Sequence, residues 1–333
     1  MNETIELIHG DGGKYTSELI KGIFYKHFNN SILTSGIDSA LLTVDTGKMA
    51  FTTDSFVVKP LFFSGGNIGK LAVCGTVNDL AVSGAKPLYL SAGFIIEEGF
   101  SIEILDLIVE EMAKQCKLSG VKIVTGDTKV VEKGSADRIF INTAGVGVIQ
   151  NNYEMKKIEA GDKIIVSGDV GNHGTAITLE RYNIDVKSHI KSDCASVCPI
   201  VEAIKEYYPC IKVMKDPTRG GLAEILNEIS DIAKLGIRLV EKNIPVLREV
   251  KGINKMLGLD PLYMACEGRV VIVVKSEVAE EVLHKLQSLK QCQNASIIGS
   301  FTEDLEQIVY IENSFGGKRI LNTLDGEMLP RIC

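Results

Sequence analysis

Tryptophan is absent from this 333-residue chain and histidine occurs only five times. Positive charge is also short. Thirty-six Lys and Arg face 43 Asp and Glu, a net charge of −7, and no block of basic residues stands out. That balance disfavours a nucleic-acid groove or a polybasic membrane patch. Apolar runs of membrane-spanning length are missing; the stretch 270–274 is typical and reads as a strand. The first residues, Met1-Asn2-Glu3-Thr4, are acidic where a secretory leader would be positive, so a cytoplasmic protein is expected. Eight cysteines are present, at 74, 116, 194, 198, 210, 266, 292 and 333. Cys194, Cys198 and Cys210 lie close in sequence but fit no zinc spacing, and no histidine follows at ligand distance. Free thiols in a reducing compartment are the expectation.

What is present describes an enzyme-sized globular chain. The hydrophobic fraction is 45 % and the charged fraction 24 %, enough for a full core without disulfide or metal staples. The length predicts about two domains. Hydrophobic spacing predicts helices over 16–28, after the glycine run 65–69 to a stop at Gly84, over 101–120 and 278–289, and after the glycine run at 216–221. Strands are expected at 40–44, 48–53, 87–94, 121–125, 139–149, 163–167, 269–274, 295–298 and 307–311. Asp45-Thr46-Gly47 reads as a hairpin turn between the first two. Helix, strand, helix, strand, strand recurs in both halves, so the fold class is α+β with two related α/β domains. The expected divisions are 1–35 (glycine loop and helix), 36–153, 154–315 and a tail, 316–333.

Asp38, Asp54, Asp79, Asp127 and Asp216 are each expected at a strand edge or beside a glycine-rich turn. Singly, such aspartates cap helices and bend loops. Together they would offer the hard oxygen ligands that a magnesium–nucleotide site needs. Asp216-Pro217-Thr218-Arg219-Gly220-Gly221 opens a helix, where bare N–H groups and the helix dipole favour an anion; the glycines at 65–69 repeat the arrangement. Neither run matches the Walker or dinucleotide pattern. Glu267 follows an apolar stretch that could raise its pKa and make it a base, although a loop glutamate is ordinarily just solvated. Lys129 is a candidate to orient a carboxylate or bind phosphate, and His9 and His173 lie in glycine-flanked segments. Chain ends normally do nothing. Cys333 stands out because a thiol on an arm can carry a covalent group between sites, with Arg331 favouring its thiolate.

These residues resemble a known family, the hydrogenase-maturation proteins HypE, over essentially the whole chain. The motifs are His9-Gly10-Asp11-Gly12-Gly13-Lys14, Phe51-Thr52-Thr53-Asp54-Ser55-Phe56-Val57-Val58 and Cys74-Gly75-Thr76-Val77-Asn78-Asp79-Leu80-Ala81. Val124-Thr125-Gly126-Asp127-Thr128-Lys129-Val130-Val131, the 216–221 loop and Pro330-Arg331-Ile332-Cys333 complete them. The wider superfamily holds the aminoimidazole ribonucleotide and selenophosphate synthetases, which lack the terminal tetrapeptide. The resemblance implies PurM-like domains, a homodimer whose amino-terminal domains pair into a β-barrel, and a mobile tail. It implies that HypF carbamoylates the terminal cysteine, that ATP drives dehydration of the S-carboxamide to a thiocyanate, and that cyanide passes to iron on a HypC–HypD complex for nickel–iron hydrogenase. ATP and Mg²⁺ would be held by Asp38, Asp54, Asp79, Asp127 and Asp216 with Lys14, Gly220 and Gly221. Cys333 would be the carrier, Glu267 the base and Lys129 its support. Two departures stand out: Asp11 replaces a serine near the phosphates, and Cys266 replaces an asparagine beside Glu267. The alternatives are another ATP-dependent synthetase or small-molecule kinase of the superfamily, indifferent to the tail, or a non-catalytic assembly factor.

Overall fold

A computed structural model describes residues 4–10, 13–35, 40, 42, 47–184, 186, 188–304 and 307–324. The chain divides into two compact units. The first comprises Met1–Phe62, Gly66–Ala81 and Ala85–Ile149; the second comprises Phe63–Gly65, Val82–Gly84 and Gln150–Cys333.

The first unit opens with α1 (Gly13–Leu19), a π-helical stretch (Ile20–Tyr25) and a single turn, α2 (Lys26–Phe28). Spacing alone predicted one helix there. Then follow β1 (Met49–Phe56), the short ladder β2 (Phe62–Phe63) and β3 (Gly66–Asn67), α3 (Ile68–Val82), β4 (Ala85–Glu97), α4 (Ile102–Ser119), β5 (Lys122–Val131) and β6 (Ile139–Ile149). The sheet order is β1-β6-β4-β5, with only the β4–β5 pair parallel. α4 makes the crossover that a parallel pair requires. Its ends are where the sequence puts them: Ser101 Oγ accepts the Ile104 N–H, and Gly120 closes the helix in the left-handed region at φ 71°. α3 lies on one face of the sheet, bound through a 2.6 Å hydroxyl pair between Thr76 and Thr143 and a 2.8 Å bond from Thr143 to the Ala72 carbonyl. The opposite face keeps Phe51 72 % exposed, with Met49 and Ile95 also solvent-accessible.

The second unit carries β7 (Lys163–Val166), α5 (Asn172–Arg181), α6 (Cys198–Ala203), β8 (Ile211–Lys215), α7 (Gly221–Ala233), β9 (Gly236–Val240), α8 (Arg248–Leu257), β10 (Val271–Val274), α9 (Ala279–Gln287), β11 (Ser296–Thr302), β12 (Val309–Glu312) and β13 (Lys318–Ile320). Its sheet order is β13-β12-β9-β11-β7-β10-β8. All four residues of β10 are buried, so both faces of the central sheet are covered. Leu222, Leu226 and Ile229 of α7 pack on one face with Ile164, Val166, Val271 and Val273.

Two differences from the sequence reading matter for the site. The first predicted strand lies mostly outside the described residues, and β1 runs on to Phe56, so Asp54 is inside a strand rather than after one. The segment Gly126-Asp127-Thr128-Lys129 is not a loop beyond a strand; it is the middle of β5, paired with Ala92 to Ile95 of β4. Gly126 makes this pairing possible, because a Cβ there would sit 2.5 Å from the Ala92 carbonyl.

Candidate active site

The register of the first sheet sorts its acidic residues. Side chains alternate along a strand, and directly paired residues share a face. Thr52 and Asp54 of β1 therefore point to the face that α3 covers, and the Thr52 hydroxyl donates to Asp79 Oδ2 of α3 at 2.8 Å. Asp54 and Asp79 thus belong to one neighbourhood. Asp127 pairs in register with Gly93, and Lys129 with exposed Ile95, which places both on the open face. They are joined by a 3.2 Å ion pair and are 68 % and 65 % exposed. Of the five aspartates, Asp79 stands in a helix, Asp54 and Asp127 stand inside strands, Asp216 occupies a turn, and Asp38 lies outside the described residues. Among the described residues no three His, Cys, Asp or Glu side chains are grouped to hold a metal.

A cavity of about 540 Å³ borders this strand, within the size range of ligand pockets. Phe24, Phe28 and Ile32 form its apolar side, and β5 borders it at 125–129, with Thr128 on the same face as Phe94 of the wall. The wall is fixed by Phe24 packed at a tilt against Phe94, ring centroids 4.8 Å apart, and by Lys26 and His27 bound to Asp106 of α4 at 3.0 and 2.8 Å. Lys14, 3.8 Å from Glu18, is solvent-exposed on α1, and Asp11 and Gly12 lie outside the described residues.

In the second unit, Asp216 leads into a tight turn. Thr218 N–H reaches the Asp216 carbonyl and Gly221 N–H reaches that of Thr218, both at 3.0 Å. Gly220 and Gly221 have φ of 70° and 60°, and a Cβ on Gly221 would meet the Met264 and Leu262 carbonyls at 2.5 and 2.7 Å. Only glycine lets α7 start this close to the neighbouring chain. That chain, 260–268, delivers Glu267, which is buried at 5 % exposure. Its backbone is held at both ends. The N–H donates to Asp193 Oδ1 at 3.3 Å, and the carbonyl accepts from Ala195 at 3.2 Å. A Cβ at Gly268 would collide with the Asp193 carbonyl.

Asp193 is the residue the sequence reading missed. Its carboxylate also accepts the His173 N–H at 3.2 Å and faces Arg269 Nε at 3.5 Å. Burial pushes its pKa up, and the Arg269 guanidinium and backbone N–H groups only partly oppose that. No local motif marks Asp193; the signal was Arg269 two residues beyond Glu267, a cation in an otherwise apolar segment. Cys266, where an asparagine is expected, is buried. Its sulfur accepts the Gly171 N–H at 3.2 Å, its own N–H donates to the Pro217 carbonyl at 3.0 Å, and burial raises its pKa. It is a structural thiol.

The two glycine-flanked histidines are structural too. His9 Nδ1 accepts the Glu6 N–H at 2.9 Å within its own turn. His173 lies in α5, fully buried, its Nδ1 2.8 Å from Ser192 Oγ and its ring edge-on to Phe63. Burial lowers its pKa to about 3, so the ring is neutral. Lys129 and Glu267 belong to different units, and Cys333 lies outside the described residues.

Residues 36–149 match the family model of the AIR synthase related protein N-terminal domain, and 159–312 that of its C-terminal domain. The carbamoyl dehydratase HypE of Bradyrhizobium diazoefficiens is 47 % identical over 335 residues, covering 100 % of this chain and 97 % of that protein. This chain belongs to the HypE family. A crystal structure of the hydrogenase maturation protein HypE in complex with ATP matches with a TM-score of 0.95 at 42 % identity, over 99 % of this chain and all of that one. A chain in the crystal structure of a HypE–HypF complex matches with a TM-score of 0.81 at 46 % identity, over 92 % of this chain and 99 % of that one. The HypE fold is therefore what the sequence indicated, α+β with two related PurM-like domains. No helix among the described residues is long and apolar enough to cross a membrane.

Proposed function

We propose that this HypE-family chain is an ATP-dependent carbamoyl dehydratase of hydrogenase maturation, with Cys333 as the carrier and Glu267 as the base. The observation that carries the reading is Glu267, a buried carboxylate whose backbone is locked to Asp193 and whose chain is bonded to the glycine loop of 216–221. Whole-length similarity to a carbamoyl dehydratase and to an ATP-bound HypE supports the reaction class.

The chemistry explains the residue types. A carboxamide oxygen is a poor leaving group, so its oxygen first takes the γ-phosphoryl of ATP, forming an O–P bond as ADP leaves. The nitrogen gives up one proton as the imidate phosphate forms. Loss of the second proton and cleavage of the C–O bond then release phosphate and leave S–C≡N. Glu267 is the acceptor for protons from that nitrogen, and Lys129, on β5 of the first unit, is a cation suited to phosphate. Phosphoryl transfer needs positioning and charge neutralisation above all. Lys14 in the first unit, and Gly220 and Gly221 in the second, are each candidates to bind phosphate, and the cavity bordering β5 has room for a nucleotide. Asp38, Asp54, Asp79, Asp127 and Asp216 carry the hard oxygens that suit Mg²⁺, which would leave most of its sites to water and phosphate. When bound, the ion neutralises triphosphate charge. A HypF-type enzyme would donate the carbamoyl group and a HypC–HypD complex would accept the cyanide. The open face of the first sheet, where Met49, Phe51 and Ile95 are exposed, would pair in a homodimeric β-barrel, in the cytoplasm.

Glu267→Gln tests the base. The variant should accept the carbamoyl group at the normal rate and then dehydrate it about a hundredfold or more slowly, the range of a lost general base. Dehydration at the wild-type rate would remove Glu267 from the mechanism.

A further inference from the structure

The end of the described chain is not loosely attached. Leu321 is fully buried among the α7 side chains, and Asn227 Nδ2 of that helix donates to its carbonyl at 2.9 Å. One residue on, the Tyr263 hydroxyl donates to the Asn322 carbonyl at 2.7 Å. Leu324 N–H then donates to Glu224 Oε2 at 3.1 Å. Just upstream, Arg319 is paired with Asp260 at 3.0 Å. Every partner in this series comes from one of two short segments. Glu224 and Asn227 stand on the first turns of α7, directly after Gly220-Gly221, and Asp260 and Tyr263 stand on the segment that delivers Glu267. The same two segments are bonded to each other through Cys266 N–H and the Pro217 carbonyl.

We infer that Tyr263 and Glu224 are positioning residues that hold the chain at Asn322 to Leu324 and so fix where the segment bearing Cys333 leaves the second unit. This rests on the carrier reading above. Nine residues, 325–333, follow the clamp, and nine residues fully extended span at most about 30 Å. An exit point fixed beside the Glu267 segment raises the effective concentration, at that segment, of a thiol nine residues further on. The clamp is built for this use: two side-chain bonds to the tail backbone read no side chain of the tail and set only where it starts.

The test compares full-length wild type with Tyr263→Phe/Glu224→Ala and with Glu224→Gln, each carbamoylated by a HypF-type enzyme and then given ATP. Carbamoylation and water loss are timed by intact mass, alongside amide exchange at Leu324, melting temperature and the KM for ATP. The double variant should take up the carbamoyl group normally and keep its melting temperature and KM. Its Leu324 amide should exchange faster, and dehydration should slow about threefold to tenfold, the scale of one or two lost hydrogen bonds. Glu224→Gln keeps a carbonyl acceptor and should restore most of the rate. Dehydration within twofold of wild type despite faster exchange overturns the clamp's role, as does unchanged exchange at Leu324. A fall in melting temperature with both steps slowed alike makes the residues merely structural. Wild-type protein that takes up no carbamoyl group overturns the carrier reading and the clamp's purpose with it, while its slow Leu324 exchange would still report the contact.

Discussion

Single residues are where the sequence was hardest to read, because burial decides what an ionisable group does. His9 and His173 are both glycine-flanked, yet each is spent on local structure. His173 also has a measurable consequence. Its folded pKa of about 3 lies below the ordinary 6.5, so between those values the unfolded chain binds a proton that the native ring refuses. Its contribution is full above pH 6.5 and is lost progressively as pH falls toward 3. Denaturant midpoints should drop through that window, and His173→Asn should flatten the slope; an equally steep slope in the variant would assign it elsewhere. Cys266 teaches the same lesson. From sequence it was a missing amide beside Glu267, whereas its sulfur holds Gly171 and the glutamate is positioned through its backbone by Asp193. Seventy-four residues separate Asp193 from Glu267, so no motif could have paired them.

Elements were legible in proportion to their amphipathicity and their punctuation. α4 shows both, and its two caps fall where Ser101 and Gly120 put them. α5 was invisible because eight of its ten residues are buried, leaving no polar face to set a period. α8 does show the period, with Val250 and Ile253 buried, and went unrecognised. β5 was cut short at Gly126 because glycine reads as a turn when it is instead the only residue that fits against Ala92. That extension carries Asp127 and Lys129 onto the open face of the sheet, the face where Phe51 is 72 % exposed. Phe51, Met49 and Ile95 are exposed on that face, which is the one assigned to the proposed dimer. If the proposed dimer pairs through this face, Phe51→Glu should lower its affinity at least about a hundredfold, since it would leave an unpaired charge in the contact. Sedimentation of the two proteins over a concentration series reads this directly, and an unweakened dimer would move the interface off this face.

At the scale of the whole molecule, two sheets with different strand orders carry different duties. The first presents Asp54 and Asp79 on one side and Asp127 with Lys129 on the other. The second gathers the glycine loop, Glu267, Asp193 and the tail root around the start of α7. The sequence motifs named both sets of residues except Asp193, but not their separation between two faces and two units, because that follows from register rather than from local pattern. The carrier role proposed for Cys333 is the central claim. Intact-protein mass spectrometry with peptide mapping, after mixing the protein with a HypF-type donor enzyme, carbamoyl phosphate and ATP, tests it most directly. The account predicts that the C-terminal peptide gains a carbamoyl group and then loses one water only when ATP is present, and that Cys333→Ala gains nothing while still binding ATP. A carbamoyl group mapped to any other side chain, or dehydrated product from Cys333→Ala, would contradict it.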